Sequence, residues 1–447
     1  MSVRVRFAPS PTGMMHIGNA RTALITWLFA RANNGHFLLR IDDTDKERSK
    51  IEYEQAIEES LTWLGLPWDE KANQKDRMDL YTQKIEQLKA DGRIYACYET
   101  PEELSLKRKS QLSRGKPPIY DRAALDLTQT QIAKYEAEGR KPHWRFKLLA
   151  EPIEWRDHIR GDVKFHGKDL SDPVVLREDG SPLYHLCSVI DDVDFGITHV
   201  VRGEDHVSNT ATHVQMFMAL GDHVPDFAHL PLISDAEGGK LSKRLGSLSI
   251  RDLREVEGLE PMAPVSLLSR LGTSEPIEAF TGLEPLIKSF DFGKFSRGTP
   301  KLDPDELLRL NAKIIHDTPF ADVQGRLADM GMDGVDAGFW DSVNANLERL
   351  RDAKDWWDMA HGPVQPVIED ENAEYIAQAL AALPAAPWDE TTWGAWTASL
   401  KETSGRKGRA LFMPLRQALT GMDHGPEMDK VLLLIGPEKA RERLKAA

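Results

Sequence analysis

Two short segments of the sequence carry residue types that act on phosphate groups. The first, His16-Ile17-Gly18-Asn19, follows a stretch rich in turn-forming residues over 9–13. A helix beginning here would direct backbone N–H groups at an anion, and Gly18, which has no side chain, would let a nucleotide lie close to the backbone. The alternative for so short a string is an ordinary helix start with an exposed histidine.

The second segment is Gly238-Gly239-Lys240-Leu241-Ser242-Lys243-Arg244. Its glycine pair indicates a loop, and Lys240 and Lys243 place two ammonium groups on that loop. Two such charges suit the negative charge that develops when pyrophosphate leaves ATP. The alternative is a basic loop that simply faces solvent.

The elements that would position these residues begin at the amino terminus. Alternating apolar residues predict a strand over 3–7, helical spacing predicts a helix from Ile17 onward, and a second strand follows over 36–41. Such a βαβ unit belongs to a parallel sheet, whose ligands lie beyond the carboxyl ends of the strands. Residues 6–10 and 42–45 are therefore expected to face one crevice.

The later pattern extends this sheet and then becomes helical. An acidic helix is expected over 46–66, a buried strand over 197–201 places Arg202 at its carboxyl end, and a strand over 229–233 leads into the lysine loop. The inner face of the acidic helix is predicted to be Ile51, Ala56, Ile57, Leu61 and Leu64. Six tryptophans of the helical last third are interpreted as core residues rather than base-stacking ones: Trp340, Trp356, Trp357, Trp388, Trp393 and Trp396.

Composition limits the possible partners. The 447 residues carry a formal net charge of −14, which argues against a general nucleic-acid coat and leaves only local basic patches. One basic set is Lys107, Arg108, Lys109, Arg114, Lys116 and Arg122, and another is Lys401, Arg406, Lys407, Arg409 and Arg416. Each is either a phosphate contact or a solvated face. Two cysteines, no export signal and no long apolar run lead us to expect a soluble cytoplasmic protein.

The two phosphate-directed segments resemble the HIGH and KMSKS signatures of class I aminoacyl-tRNA synthetases. The sequence segments around them resemble those of the bacterial glutamyl-tRNA synthetases along nearly the whole chain. They are RFAPSPTGMMHIGNARTAL, RIDDTD, PLYHLCSVIDD, FGITHVVRGEDHVSNT, HLPLISDAEGGKLSKRLGSLSI and RKGRALFMPLRQALTG.

This resemblance implies an α/β fold with a Rossmann-like parallel-sheet catalytic domain, an inserted acceptor-binding domain and an all-helical C-terminal anticodon-binding domain. The expected boundaries are 1–67 and 183–249 for the two halves of the catalytic domain, 68–182 for the acceptor-stem insert, 250–317 for a stem-contact helical region and 318–447 for the anticodon-binding domain. The family is usually monomeric.

The resemblance also implies the activity, a glutamate–tRNA ligase that uses ATP and Mg²⁺. The implied catalytic residues are His16, Lys240 and Lys243. The implied ATP site is Thr12, His16, Gly18, Asn19, Glu204, Leu232, Ile233, Lys240 and Lys243, and the implied glutamate site is Arg6, Ala8, Ser10, Asp42, Tyr184, Ser188 and Arg202. Asp42 and Ser188 depart from the family's usual Glu and Asn, which leaves the amino-group contact and one pocket wall open.

The resemblance also implies a point of difference, because many members carry a zinc site in the insert, built from Cys-x-Cys and a later Cys or Tyr together with His. Here the corresponding words are Cys97-Tyr98-Glu99 and Tyr120-Asp121-Arg122-Ala123. A tetrahedral zinc site needs four nitrogen or sulfur ligands, and a lone Cys97 cannot supply them. We therefore expect Cys97 to be a small buried residue and no structural zinc to be bound.

Three alternative functions compete with this interpretation. A glutaminyl-tRNA synthetase is disfavoured because Arg202 suits a carboxylate better than an amide, although Arg202 could instead form a salt bridge with Glu204, Asp205, Asp191 or Asp192. A truncated glutamyl-queuosine synthetase would lack the helical last third. A tRNA-binding paralogue without catalysis would tend to lose the signature histidine and lysines, which are present. The sequence does not decide whether tRNA(Gln) is charged as well as tRNA(Glu).

Overall fold

A computed structural model describes residues 2–221, 223–235 and 249–445 of the chain. Lys240 and Lys243 lie outside the described residues. The chain divides into two compact units. The first, called here the α/β unit, comprises 1–256, 265–278 and 282–304, and the second, the helical unit, comprises 257–264, 279–281 and 305–447.

The α/β unit begins with the predicted βαβ arrangement. Its first elements are β1 (Arg4–Phe7), α1 (Ile17–Ala32), β2 (His36–Ile41), α2 (Ile51–Trp63) and β3 (Glu70–Asn73). The three strands are parallel in the order β1-β2-β3. The turn from α1 into β2 requires Gly35, because a Cβ there would lie 2.7 Å from the carbonyl oxygen of Val3. The first strands and the helix amino end are thereby fixed relative to one another.

A smaller sheet follows in the chain. The next elements are α3 (Met78–Ala90), β4 (Ile94–Cys97), α4 (Pro101–Ser113), α5 (Gln129–Ala137), β5 (His143–Phe146), β6 (Pro152–Asp157), β7 (Gly161–His166) and β8 (Val174–Leu176). Strands β4, β5 and β8 form an antiparallel sheet in which Cys97 pairs with His143. Strands β6 and β7 form a hairpin that belongs to the next sheet.

The sheet then resumes with parallel strands. The elements are α6 (Tyr184–Asp194), β9 (His199–Gly203), α7 (Val207–Leu220), β10 (Asp226–Leu230), β11 (Ser234–Asp235), α8 (Ile250–Glu255), α9 (Met262–Arg270), α10 (Glu284–Lys288) and β12 (Lys301–Leu302). The strand order is β7-β6-β10-β9, with β9 and β10 parallel. The Thr198 N–H donates to the Arg4 carbonyl oxygen at 2.9 Å, so β9 adjoins β1. The carboxyl ends of β1 and β9 thus meet at one edge.

Several local predictions differ from the structure. The acidic helix starts at Ile51 rather than at 46, and Ile51 is 64% exposed because it occupies the first position of α2. The predicted strand over 229–233 runs from Asp226 to Leu230. Strands β3 and β6 lie inside the segment predicted as the insert, yet they pair with parallel strands β2 and β10. These strands have the charged sequences EKAN and PIEWRD. Neither sequence contains a long apolar run that would identify it as a strand of a buried sheet.

The helical unit consists mainly of short helices. They are α11 (Pro304–His316), α12 (Phe320–Asp329), α13 (Ala337–Val343), α14 (Ala353–His361), α15 (Ala373–Ala381), α16 (Thr392–Ser404), α17 (Arg409–Thr420) and α18 (Met428–Leu444). A left-handed Gly436, with φ 77°, interrupts α18. No helix in the described ranges is long and apolar enough to cross a membrane.

The tryptophans of the helical unit form its core, as predicted. Trp340, Trp356 and Trp396 are buried in one apolar cluster, and Trp357, Trp388 and Trp393 pack against it. Ile315 of α11 belongs to the same cluster, which explains why the longest segment of the helical unit already includes residues 305–317.

Candidate active site

A cavity of about 520 Å³ opens at the carboxyl ends of β1, β9 and β10. Most of the residues predicted to bind ATP or glutamate line it: Arg6, Ala8, Ser10, His16, Gly18, Asn19, Asp42, Tyr184, Ser188, Arg202, Leu232 and Ile233. Thr12 and Glu204 do not line it. The position of this cavity, beyond the strand ends and beside a helix amino terminus, is the usual one for nucleotides in parallel α/β proteins.

His16 caps the helix that faces the cavity. Its Nδ1 accepts hydrogen bonds from the backbone N–H groups of Gly18 at 3.1 Å and Asn19 at 3.3 Å, which satisfies two donors of the first turn. Nδ1 is therefore unprotonated, and Nε2 is the nitrogen that carries a proton at neutral charge. A Cβ at Gly18 would lie 3.1 Å from two atoms of the His16 ring. The absent side chain at Gly18 thus makes room for the histidine itself.

Arg40 organises the floor of the cavity and was not predicted as a site residue. Its fully buried guanidinium donates to both oxygens of Asp42 at 2.7 and 3.1 Å, to Asp192 at 2.7 Å and to the Ser188 hydroxyl at 2.8 Å. Burial lowers the pKa of Arg40, but the neighbouring carboxylates raise it by more. The net pKa therefore lies well above the usual value. Asp42 and Ser188, the two departures from the family pattern, are both held by this one arginine.

Arg6 and the adjacent acidic pair continue the same network. The Arg6 Nε donates to Asp192 at 3.0 Å, while Asp191 accepts from Tyr81, Gln74 and Arg77. Each buried carboxylate of this floor has a charged or hydrogen-bonding partner, which buried charges require. In the β2 segment FLLRI, Arg40 stands among apolar residues. A charged residue inside a strand that is otherwise apolar was the signal that could have identified Arg40 as a site residue.

Arg202 lies in a different environment, although it is also buried. Its guanidinium donates to the His229 ring at 3.3 Å, the His213 ring at 3.3 Å, the Tyr184 hydroxyl at 3.3 Å and the Thr210 hydroxyl at 2.6 Å. No carboxylate among the described residues forms an ion pair with Arg202, so the alternative salt bridges to Glu204, Asp205, Asp191 and Asp192 are not formed. The positive charge of Arg202 is available to a ligand.

Two further residues fix the edge where β10 ends. Glu204 accepts the Leu232 N–H at 3.1 Å and the Arg160 guanidinium at 2.7 Å, so its carboxylate supports the cavity wall rather than lining it. Arg21 of α1 donates to the carbonyl oxygens of Pro231 at 2.7 Å and Leu271 at 2.9 Å. Burial lowers the pKa of Arg21 to about 10, and Glu204 opposes that shift. Sequence reasoning missed this support.

The basic sets divide into structural and exposed members. Arg122 pairs with Asp172 and Lys107 with Asp121, whereas Arg108, Lys109, Arg114 and Lys116 are exposed. In the helical unit, Arg406 donates to Asn372 and Arg416 to the Pro426 carbonyl, whereas Lys401, Lys407 and Arg409 are exposed. The exposed members are the ones free to reach an external phosphate.

Cys97 is buried as predicted, but the expectation that it stands alone is wrong. Glu99 and His143 each bring a ligand atom within 4.8 Å of its thiol, and the Tyr120 hydroxyl lies 3.7 Å from the sulfur. The pairing of β4 with β5 brings His143 there, and that pairing was not visible in the sequence.

These donors fit a zinc ion poorly. Glu99 Oε2 and His143 Nε2 lack hydrogen-bond partners among the described residues, as free ligands would. However, Lys107 Nζ lies 3.3 Å from the other Glu99 oxygen, and the Arg145 guanidinium lies 4.1 Å over the Tyr120 ring. Two positive charges beside the donors oppose a divalent cation, and burial raises the pKa of the Cys97 thiol to about 12. The absence of structural zinc stays a prediction.

The fold and cavity together define a parallel α/β protein with a nucleotide-type pocket. The profile of the tRNA synthetases class I (E and Q) catalytic domain matches residues 2–309, and that of an anticodon binding domain matches 358–447. The chain belongs to the class I tRNA synthetases of the E and Q type. This confirms the class I resemblance and the predicted fold class.

Relatives match over nearly the whole chain. A protein named glutamate–tRNA ligase from Azospirillum brasilense is 56% identical, with 99% of each chain covered, and one from Maricaulis maris is 54% identical, with 99% of this chain and 98% of the relative covered. A crystal structure of a glutamate tRNA ligase from Elizabethkingia meningosepticum in complex with its amino acid superposes with a TM-score of 0.87. It is 28% identical and covers 100% of this chain and 99% of the other.

Proposed function

We propose that this chain is an ATP-dependent glutamate–tRNA ligase, and the observation that carries the choice of amino acid is Arg202. Its buried guanidinium lines the cavity, and its hydrogen-bond partners among the described residues are all neutral groups. A substrate side-chain carboxylate would gain a charge-assisted pair there, whereas a neutral amide would not. The names of the relatives, identical at 51–56% over almost the full chain, support the same assignment.

The chemistry has two steps. An oxygen of the glutamate α-carboxylate forms a bond to the α-phosphorus of ATP, and pyrophosphate leaves with the electron pair of the broken P–O bond. A ribose hydroxyl of the 3′-terminal adenosine of tRNA then attacks the glutamyl carbonyl carbon and loses its proton, and AMP leaves. Neither step needs a protein nucleophile, so positioning and stabilisation of phosphate charge are the protein's contribution.

Separate parts of the cavity serve the two substrates. The α1 amino end with His16, Gly18 and Asn19 receives the ATP phosphates, and the backbone at Leu232 and Ile233 receives the adenine. Lys240 and Lys243 complete the ATP site by acting on the leaving pyrophosphate. Thr12 and Glu204 do not line the cavity, so their part in ATP binding is indirect, and Glu204 acts by holding the backbone at Leu232. Mg²⁺, when bound with ATP, would supply further neutralisation of the phosphate charge. Arg6, Ala8, Ser10, Asp42, Tyr184 and Ser188 surround glutamate together with Arg202.

The tRNA meets the remaining surfaces. The exposed Arg108, Lys109, Arg114 and Lys116 at α4 are suited to acceptor-stem phosphates, residues 250–317 to the stem, and the helical unit, with its exposed Lys401, Lys407 and Arg409, to the anticodon. We propose that the enzyme acts in the cytoplasm as a monomer. Side-by-side charging of purified tRNA(Glu) and tRNA(Gln) measures which tRNAs it accepts.

The decisive experiment replaces Arg202. Arg202→Ala removes the partner of a desolvated carboxylate, which costs on the order of 2–5 kcal/mol, so kcat/KM for glutamate falls about 30-fold to several thousand-fold. Glutamine, being neutral, loses less. ATP–pyrophosphate exchange in the presence of tRNA, with each amino acid, measures both values.

Arg6→Ala and the double variant serve as matched controls. Arg6 lines the same cavity but is already paired with Asp192, so its removal changes the glutamate-to-glutamine ratio less. A ratio that stays at the wild-type value in all three variants would contradict the assignment of carboxylate recognition to these arginines.

A further inference from the structure

The hydrogen bonds around Arg202 determine where two buried histidines carry their protons. A guanidinium can only donate, so each ring nitrogen that faces it must be an acceptor. These nitrogens are Nδ1 of His213 and Nε2 of His229, each 3.3 Å from an Arg202 nitrogen. The Thr210 hydroxyl also lies 2.8 Å from His229 Nε2 and can donate to the same lone pair. Both histidines are therefore neutral, and in each the proton lies on the nitrogen that faces away from Arg202.

The far side of each ring has a partner that accepts this proton. His213 Nε2 lies 3.0 Å from His185 Nδ1, and His229 Nδ1 lies 2.5 Å from Asp157 Oδ2. Asp157 is held in turn by the N–H groups of Ile159 and Arg160 at 3.0 and 2.9 Å. Each histidine is thus fixed in one tautomer, with a lone pair directed at the guanidinium.

Burial favours the uncharged form of both rings. It lowers the pKa of His213 well below the usual value, and the nearby Arg202 charge lowers it further. For His229, burial also lowers the pKa, although Asp157 opposes the shift. Protonation of either ring would both remove an acceptor and place a second positive charge beside Arg202.

Arg40 provides the contrast within the same cavity floor. It is also buried, but its nitrogens face Asp42 and Asp192, so its charge is paired with carboxylates of the protein. Arg202 has the same need for orientation and meets it with neutral lone pairs from His213, His229 and Thr210. Neutral acceptors orient a guanidinium without cancelling the charge that a ligand would use.

We propose that His213 and His229 are positioning residues that hold Arg202 in place while leaving its charge unneutralised, and that they thereby set the preference for an anionic over a neutral amino acid. This inference rests on the proposed function. Neither histidine lines the cavity, so each acts through Arg202 and not on the substrate.

The test compares two variants that differ in charge and hardly in size. His213→Glu places a carboxylate beside Arg202, and His213→Gln places a neutral amide at the same point. We expect His213→Glu to lower the glutamate-to-glutamine ratio of kcat/KM by about 30-fold or more, mainly through the KM for glutamate. We expect His213→Gln to keep that ratio within about threefold, whatever its effect on the rate common to both amino acids.

A second pair approaches the guanidinium from another side and covers the case in which His213→Glu does not fold. Thr210→Asp is expected to lower the ratio as His213→Glu does, and Thr210→Asn is expected to keep it. Folding of each variant is checked by circular dichroism and thermal unfolding, and activity by ATP–pyrophosphate exchange with tRNA present.

The outcomes separate the two claims. If the wild-type protein does not activate glutamate, the proposed function fails and this inference fails with it. If the wild type does activate glutamate, but the charged and neutral variants lose activity equally with glutamate and with glutamine, His213 is merely structural and only this inference is overturned. A fall in the ratio confined to the charged variants supports it.

Discussion

The α/β unit and the helical unit build their interiors from different materials. The α/β unit buries arginines and aspartates around its cavity, including Arg6, Arg40, Asp191 and Asp192. The helical unit buries indole rings, and among its described residues no carboxylate is buried. Buried charge is costly unless it is paired, whereas buried indoles stabilise directly. The first interior is arranged for ligands and the second for stability.

Removal of the helical unit is expected to have the largest effect, because it separates the two interiors. A chain that ends at Pro304 retains the segments of the α/β unit and its own core, so we expect it to fold and to lose all discrimination among tRNAs by anticodon. Charging of tRNA(Glu) transcripts with natural and altered anticodons measures this. Continued preference for the natural anticodon would show that the recognition lies outside the helical unit.

Trp396→Ala sharpens the comparison from the apolar side. Trp396 is 1% exposed and its indole N–H donates to the Ala379 carbonyl at 3.1 Å. Its loss should destabilise the helical unit by about 3–5 kcal/mol, because the cavity left behind closes only in part. Trp396→Phe, which keeps most of the ring, should cost less. Urea unfolding gives the stability, and glutamate activation should persist where the protein is folded; a parallel loss of activation would argue against independent interiors.

A fall in pH tests the contribution of the buried polar residues of the α/β unit to stability. The pKa of His185 is lowered to about 4, by burial first and then by Arg202, and the pKa values of His213 and His229 are also lowered. In the unfolded chain these rings have pKa values of about 6.5. Below that pH the unfolded state binds more protons than the folded state, so a fall in pH favours unfolding. The stability that the neutral rings contribute is complete above about pH 6.5 and is lost as the pH falls below it.

Hydrogen exchange resolves this effect by region. Between pH 7.5 and pH 5.5, after correction for intrinsic rates, protection should fall in α6 and α7 of the α/β unit more than in α16 and α17 of the helical unit. His185, His213 and His229, whose pKa values are lowered, all lie in the α/β unit. Equal losses in both units would mean that other groups dominate the acid response.

The smallest expected effect is that of a chelator. Because Lys107 and Arg145 already place positive charge beside Cys97, Glu99 and Tyr120, we expect no structural zinc. Treatment with EDTA should leave the melting temperature of both units unchanged, and elemental analysis of tag-free protein should find no stoichiometric zinc. Stoichiometric metal, together with destabilisation by the chelator, would contradict this.

Local patterns sufficed for the first βαβ unit and for the crevice at its strand ends. The spacing from 3 to 41 predicts β1, α1 and β2, and the rule for parallel sheets then brings Arg6, His16 and Asp42 to one cavity. The tryptophans from Trp340 to Trp396 are likewise recognisable as core residues from their type alone.

What the sequence could not provide depends on contacts between distant residues. Arg40 meets Ser188 across 148 positions, and His229 meets Asp157 across 72. His143 reaches Cys97 only through the pairing of β4 with β5. No local periodicity encodes such pairings, so a buried arginine in a strand or a histidine beside a strand end remains ambiguous until the sheet is assembled.

The cap at the start of α1 has a consequence for how mutational scans of this chain should be read. The imidazole of His16 closes the first helical turn and also faces the cavity, so an alanine there removes a fold element and a functional group at once. Aspartate or serine would keep a capping acceptor but lose the imidazole. Fitness at this position therefore mixes two selective pressures that only a set of capping and non-capping replacements can separate, and the tolerance of Gly18 will depend on which replacement stands at position 16.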